Sequence, residues 1–382
     1  MAWATNSINQ DQRRVDMSEK IALLEPSAAP FTILLRRLSK TAANNPKFQW
    51  LEDELAPKAD AINAVGGYLA GDVALVVDNA AYFTQYDLVQ VRRTREVMLV
   101  TAVTVATNTL TVIRAWGETV AAALVDNDPL LIIGSAAEEM AGARPVNQRV
   151  TTTQYNYTQI FRTALEVSRT LNQSALYGGK ERARLRAKKG IEHNIDLERA
   201  FLFGERKEDL TGTAPRRSTR GIVRFLEADA SNVHDAAGNL TEPLMEQYCE
   251  TLFAHGNKTK LLLASRALVS RINSWGREKL HVVQSDNPKD RFYGLSISTY
   301  VTAHGVLKIV PHDLLEGTDY GEMGVILDME FLKYRPLNGS DTTLRTNIQA
   351  PDIDGFRDEY LTEAGLELKL AKCHGLIKNI AA

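Results

Sequence analysis

The stretch from Thr151 to Phe203 limits the fold more than any other part of the chain. It reads TTTQYNYTQIFRTALEVSRT, then a short linker through Gly178-Gly179, then KERARLRAKKGIEHNIDLERAFLF up to Gly204. From Val146 to Thr170 polar and apolar residues alternate, the period of a strand. Tyr155, Tyr157, Gln159 and Phe161 fall on one face, and Asn156, Thr158 and Ile160 on the other. From Lys180 the period becomes helical. Ala183, Ala187, Ile191, Ile195, Phe201 and Leu202 share one stripe, interrupted by Arg184 and Gly190, while Arg182, Arg186 and Lys189 fall outside it. A helix over 180–204 is a rod of ~36 Å at 1.5 Å per residue, long enough to cross a domain, with Gly204 as a C′ stop. A long strand feeding a long rod, with no catalytic signature beside them, describes a chain that makes a shape and meets copies of itself.

The remainder organises around this pair. Residues 1 to about 30 are polar and mixed and read as an arm that leaves the body, with the amphipathic segment Phe31–Leu38 as its tether. Phe48–Leu55 alternates like a strand and is the natural partner of the long extended segment, giving a hairpin. Between them, from Gly71 to Gly134, DVALVV, DLVQVRR, REVMLVTAVTV, TLTVIRAW and DPLLIIG follow at intervals of about ten residues, the mark of a small barrel or sandwich. Beyond a basic loop, TGTAPRRSTRG, the pattern changes again. PLMEQYCETLFAHG is a helix ended by Gly256, TKLLLAS a buried strand and RALVSRINSWGREKL a helix. SISTYVTAHGVLKIVPH, GVILDMEFLKYRPL and ELKLAKCHGLIKNI are strand-like. That order predicts a mixed sheet with helices on its faces.

Composition removes several classes of function. The chain has 382 residues, 44% hydrophobic and 24% charged, with a net charge of −2, so no global field draws it to nucleic acid or acidic membranes. Two cysteines, Cys249 and Cys373, make no disulfide framework and fit a reducing compartment. The N-terminus has no apolar core of a signal peptide, and no apolar run approaches the ~18 residues of a membrane helix. Seven histidines occur without HExxH or CxxC spacing. Cys373-His374 are poorly placed to chelate, and Asp352-Ile353-Asp354-Gly355 lacks the rest of a calcium loop and reads as a turn. Gly178-Gly179-Lys180 lacks the flanking residues of a phosphate loop. The expectation is therefore no catalytic, cofactor-binding or metal-binding residues. An enzymatic alternative would draw on His281, His304 or His312 with Asp286 or Asp313. The run Lys180–Lys189, with six basic residues and one acid, reads as a solvated face paired with Glu192, Asp196 and Glu198, or else as a contact to nucleic acid. Arg216, Arg217, Arg220 and Arg224 suggest subunit contacts. Arg92, Arg93, Arg95 and Arg114 would carry a nucleic-acid reading of the barrel.

The segment NYTQIFRTALEVSRT, followed by a helix with the pattern IEHNIDLERAFLFG and then an α/β region, resembles the major capsid proteins of tailed bacteriophages, in particular the subgroup with a β domain inserted in a long loop. The resemblance implies an α+β Hong Kong 97-type fold. It would have an N-terminal arm (1–45) and an extended loop (46–165) carrying a β-barrel insertion at 66–140. A peripheral domain (166–221 and 330–382) would be built on a spine helix at 180–204, and an axial domain (222–329) would line symmetry axes with Gln284–Arg291. It further implies a non-enzymatic subunit that assembles as pentamers and hexamers into an icosahedral shell around double-stranded DNA, in the host bacterial cytoplasm, with scaffolding, portal and decoration proteins as partners and no membrane or cofactor. Some relatives carry an N-terminal scaffolding segment. This chain starts with the arm, so a separate scaffold or a processed form is expected. Some relatives also join a loop lysine to an asparagine. Lys58 and Asn338 are the counterparts here, but Lys58 precedes an inserted domain, and no cross-link is expected. A cellular nanocompartment shell of the same fold is the alternative, and the inserted β domain favours the virus.

Overall fold

The computed structural model describes residues 30–38, 40–140, 142, 146, 149–174, 180–229, 231–279, 299–315 and 323–380. The arm before residue 30, Gly178-Gly179, His281, Asp286 and Gln284–Arg291 lie outside them. In chain order, α1 (Pro30–Leu38) and β1 (Lys47–Glu52) precede β2 (Ala59–Ala61), β3 (Ala74–Val76), β4 (Asp87–Val91), β5 (Val97–Thr104), β6 (Thr109–Ile113) and β7 (Pro129–Ser135). Then come β8 (Thr152–Tyr157), β9 (Gln159–Ser168), α2 (Arg169–Gln173), α3 (Glu181–Phe203), β10 (Lys207–Asp209), β11 (Arg216–Ser218) and α4 (Ile222–Asp229). They are followed by β12 (Val233–Asp235), α5 (Glu242–Leu252), β13 (Thr259–Ala264), α6 (Arg266–Lys279), β14 (Thr299–Val301), β15 (Val306–Pro311) and β16 (Gly324–Leu327). The last elements are β17 (Leu332–Pro336), β18 (Thr343–Arg345), β19 (Gly355–Leu368) and β20 (Gly375–Lys378). The chain divides into two compact units, Leu51–Thr153 and the remainder.

The smaller unit is an antiparallel barrel. Its strands follow the order β2-β7-β4-β5-β6-β3. An antiparallel bridge between Ile62 and Val77, with the Asn63 N–H donating to the Val76 carbonyl (2.9 Å), joins the last strand back to the first. Closure removes the sheet edges. Alternating residues such as Val89, Val91, Met98, Val100, Leu110 and Val112 fill the interior. One buried pair is fully satisfied: Arg114 grips both oxygens of Glu96 (2.7 and 2.8 Å) and donates to the carbonyls of Leu69, Asp72 and Ala122. The barrel strands begin at Ala59, earlier than the expected 66, because the short ADA strand carries too little apolar pattern to be seen.

In the larger unit β19 is the central strand. It pairs with β9 from Gly355↔Ser168 to Ala364↔Gln159, and on its other side with β17 and β18. The expected single long hairpin is corrected here. Only β8 pairs with β1, and β9 leaves for β19. The switch is made by two buried polar residues. The Thr158 N–H donates to the Pro46 carbonyl (2.8 Å) and its hydroxyl to Glu363 (2.9 Å). The Asn156 amide donates to the carbonyl of Leu366 (2.7 Å) and to the hydroxyl of Thr219 (3.1 Å). Their burial breaks the alternation read from sequence.

Helix α3 lies on this sheet with a different face from the one its apolar residues mark. Ala183 and Ala187 are exposed. The inward seam runs through Arg182, Arg186, Gly190, His193, Leu197 and Phe201, at helical spacing of three and four. Arg182 and Arg186 both hold Asp358 of β19, at 2.6 to 2.8 Å. Gly190 admits the Tyr360 ring, whose hydroxyl donates to the Arg186 carbonyl (3.1 Å). His193 sits between the hydroxyls of Thr163 (2.9 Å) and Thr362 (2.7 Å), and burial lowers its pKa. Phe201 packs edge-on to Phe161 and Tyr334. Gly204 ends the helix without the left-handed turn expected of it, at φ −59° and ψ 149°. It is glycine because a Cβ would lie 2.5 Å from the Thr219 carbonyl.

The rest of this unit is the mixed sheet β12-β20-β16-β13-β15-β14, with β12/β20 and β13/β15 parallel and its other pairs antiparallel. It is covered on both faces, so LLLA of β13 and GVIL of β16 run continuously apolar. Leu263, Val325 and Leu327 face the core shared with α3, and Leu262, Ala264 and Ile326 face α5 and α6. Helix α5 ends at Leu252 rather than at Gly256, which takes φ +75° in the following turn. Buried Lys260 caps that end, donating to the carbonyls of Leu252 (2.9 Å), His255 (2.8 Å) and Cys373 (2.6 Å). Two further boundaries are corrected. Strand β20 joins this sheet, so 330–382 does not all return to the helix-bearing layer. Residues 31–43 belong to the core, with Phe31, Leu35 and Ala43 buried and Lys40 and Ala43 bridged in parallel to β17 and its end.

Asp358 sets a pH test. Burial alone would raise its pKa, but the hydrogen bonds from Arg182, Arg186 and the Asn347 N–H hold it well below the usual carboxylate range. That stabilisation is complete above the ordinary aspartate value of about 4 and is lost as pH falls below it. Asp358→Asn in the unassembled subunit is expected to cost about 3 kcal/mol at pH 7. Urea denaturation at pH 7 and at a series of pH values below about 4 checks this: the gap between the variant and the natural protein should narrow progressively as pH falls.

Candidate functional site

Among the described residues, no hydrogen bond or ion pair joins His304 or His312 to Asp313. His312 is fully buried, and its partner is Glu198 rather than Asp313, which pairs with Arg266 (3.0 Å). His304 is exposed on the turn between β14 and β15. His374 is buried, and burial pushes its pKa down to about 4. It stays neutral, accepting the Asp328 N–H at Nδ1 (3.1 Å) and donating from Nε2 to the Lys369 carbonyl (3.2 Å). Cys373 is buried beside it, on a 3-10 turn rather than on a strand. Cys249 is buried, with its thiol pushed up to about 12. Asp354 pairs with Arg169 (2.7 Å) beyond the turn at Pro351. Among the described residues no three His, Cys, Asp or Glu side chains converge as metal ligands, and no helix is long and apolar enough to cross a membrane.

The basic runs are largely consumed by ion pairs. In Lys180–Lys189, Arg182 and Arg186 hold Asp358, Arg184 holds Glu181, and Lys188 and Lys189 reach Glu192. The expectation that Glu198 also serves that face is corrected, since it points into the core. In the barrel Arg93 grips Asp128 (2.7 and 2.8 Å) and Arg114 grips Glu96, leaving Arg92 and Arg95 on the surface. Arg217 pairs with Glu208, and Arg224 with Glu205 and Glu227.

The most tightly specified polar cluster is structural and was not predicted. Glu198 on α3 is fully buried and accepts the backbone N–H groups of Phe31 and Thr32, each at 3.1 Å. It caps the N-terminus of α1, where the helix dipole favours an anion. The third donor is His312 Nε2–H. Its Nδ1 accepts the Leu314 N–H (3.3 Å), which places the ring proton on the nitrogen facing Glu198. One carboxylate thereby joins the chain entering the larger unit, helix α3 and the loop after β15. The sequence carries a faint signal of it: SAAPFTILL starts a helix with no Ser, Thr, Asp or Asn in the capping position, so the cap must come from elsewhere.

What the chain offers, then, is a set of rigid elements and surfaces: a closed barrel carried between two paired strands, a long helix on a sheet, and a helix-covered mixed sheet. That is the architecture of a Hong Kong 97-type phage capsid protein. The structure superposes on one from Mycobacterium phage Bobi with a TM-score of 0.50, at 9% identity, covering 98% of each chain. It superposes on the capsid of a native GTA particle with a TM-score of 0.52, at 9% identity, covering 100% of each. For the capsid of the empty GTA particle the TM-score is 0.51, at 10% identity, over 99% of this chain and 98% of that one. At such identities the likeness establishes the fold. The sequence model of the SU10 major capsid protein family matches residues 4–381, and the chain belongs to that family. No curated protein matches it significantly in sequence.

Replacing Glu198 with Gln would set an amide N–H₂ against a ring of donors. The expected cost is about 2–4 kcal/mol, because at least one charge-assisted hydrogen bond disappears and one buried donor is left unsatisfied. Limited proteolysis should then cut first between residues 30 and 46. Unchanged cleavage there would rule out the capping role.

Proposed function

We propose that this chain forms the shell of a tailed-phage head, closing as pentamers and hexamers into an icosahedral container for double-stranded DNA. The observation that carries the reading is the match of one major capsid protein family along nearly the whole chain. The geometry supports it. The β1/β8 ribbon and the barrel correspond to an extended loop, α3 with the β9/β19 sheet to a peripheral domain, and the six-stranded sheet with α4–α6 to an axial domain. Helix α1, packed in the core, is where the segment read as an arm would be anchored. A net charge of −2 limits repulsion among hundreds of copies, and closure of one repeated chain follows from symmetric interfaces. In this reading the subunit performs no catalysis and holds no cofactor. It assembles in the host bacterial cytoplasm with scaffolding, portal and decoration proteins, and it ends in the virion.

The family match favours a phage shell over a cellular compartment of the same fold, and cargo separates the two. Negative-stain electron microscopy of the protein, expressed alone and with its neighbouring genes, should show hexamer rings or closed shells. Nuclease-protected DNA inside shells from infected cells should follow. Monodisperse monomers under every condition would overturn the assembly reading, and shells filled with an enzyme and no DNA would favour the compartment.

A further inference from the structure

One group of cations in the larger unit stands apart from the ion pairs around it. The Tyr155 ring carries the Arg206 guanidinium 3.8 Å and the Lys47 ammonium 4.5 Å from its centroid, and Arg206 Nη1 donates to the Tyr155 carbonyl (2.8 Å). Arg220 lies over the Phe225 ring (4.6 Å) and donates to the Arg224 carbonyl (2.9 Å). Burial first, and then the charge of nearby Arg206, lower the pKa of Arg220 against the opposing charge of Glu205, which is itself ion-paired with Arg224. None of Lys47, Arg206, Arg216 and Arg220 has an ion-pair partner among the described residues, whereas their neighbours Arg217 and Arg224 do. Tyr157 packs edge-on to Tyr155, and its chain neighbour Thr158 lines a 190 Å³ cleft with Ile160, Pro215, Arg216, Arg217 and Glu363, Ile160 being 58% exposed.

The half-buried guanidinium groups of Arg206 and Arg220, which repel each other, are costly without an anion, and their planar forks fit carboxylates; Lys47 and Arg216 are exposed. We propose that Lys47, Arg206, Arg216 and Arg220 form a docking surface for an acidic segment of a second copy of this chain. Charge complementarity points to a copy of itself: Glu138, Glu139, Glu246 and Glu250 are exposed and have no ion-pair partner among the described residues. A basic face on one copy meeting an acidic face on the next is a heterologous contact, the kind that closes rings. Single-stranded nucleic acid fits less well. Base stacking needs a free aromatic face, and Tyr155 already carries two cations.

The inference rests on the shell reading, and one experiment separates the two. Particles assembled from mixed ¹⁴N- and ¹⁵N-labelled chains are treated with a carbodiimide, which joins lysine amines to carboxylates, and cross-linked peptides are sequenced by mass spectrometry. The expected result is mixed-isotope peptides joining Lys47 to an Asp or Glu of another copy. In the R206A/R220A variant, at unchanged Tm, their yield should fall roughly tenfold, the equivalent of about one charge-assisted hydrogen bond. Shells in which Lys47 links only within its own chain or not at all, or is shielded only when DNA is present, would overturn the proposal and leave the shell reading standing. Failure of the unaltered protein to assemble would strike the shell reading itself. Should the double variant not fold, the cross-link in the unaltered protein decides.

Discussion

The ten-residue ladder between β9 and β19 is the constraint on which the larger unit depends. It joins residues nearly 200 positions apart in the chain, and its loop-closure entropy is offset by what one face of the ladder buries, with Phe161, Leu165 and Val167 inward and Ile160, Arg162, Ala164 and Glu166 exposed. One face carries α3, seated by Asp358, Tyr360, Thr362 and the apolar residues beyond them. At the far end β19 turns to pair with β17, to which the entering segment at Lys40 and Ala43 is bridged. A register slip of one residue would swing Asp358 away from its arginines and Thr362 away from His193. The polar residues of β19 therefore specify register, and the apolar ones supply most of the driving force.

The same division recurs across the unit. Glu198, Asn156, Lys260 and His374 are all buried, and each satisfies backbone groups at a place where the chain starts, ends or crosses an element. Glu198 starts α1, Lys260 ends α5, Asn156 ties β8 to Thr219 and Arg220 in the link between β11 and α4, and His374 orders the turn into β20. Such groups add little net stability over well-packed apolar residues, yet removing one partner is costly. For a subunit that must present the same surfaces in every copy of a shell, a uniquely specified geometry matters more than a deep energy minimum. The barrel obeys the same logic, with Arg114 and Glu96 tying three loops at one end.

What the sequence by itself determined was local. The barrel strands from Asp87 to Ser135 and the span of α3 follow from periods of two and of three to four, which depend on neighbours a few residues away. The IEHNIDLERAFLFG pattern carried the family resemblance for the same reason. What only the tertiary structure decided were the partners. The apolar residues of α3 marked one stripe, but its inward seam runs through Arg182, Arg186 and His193, since Asp358, Thr163 and Thr362 wait there to satisfy them. The extended segment was legible and its division at Thr158 was not, because Pro46 and Glu363, which hold Thr158, are far away in the chain. Glu198 looked like one more charge on a solvated helix, and only the approach of Phe31, 167 residues distant, makes it a cap. Periodicity records which side of an element is buried when apolar residues bury it. When charges are buried instead, the record lies in a distant segment, and folding is needed to bring the two together.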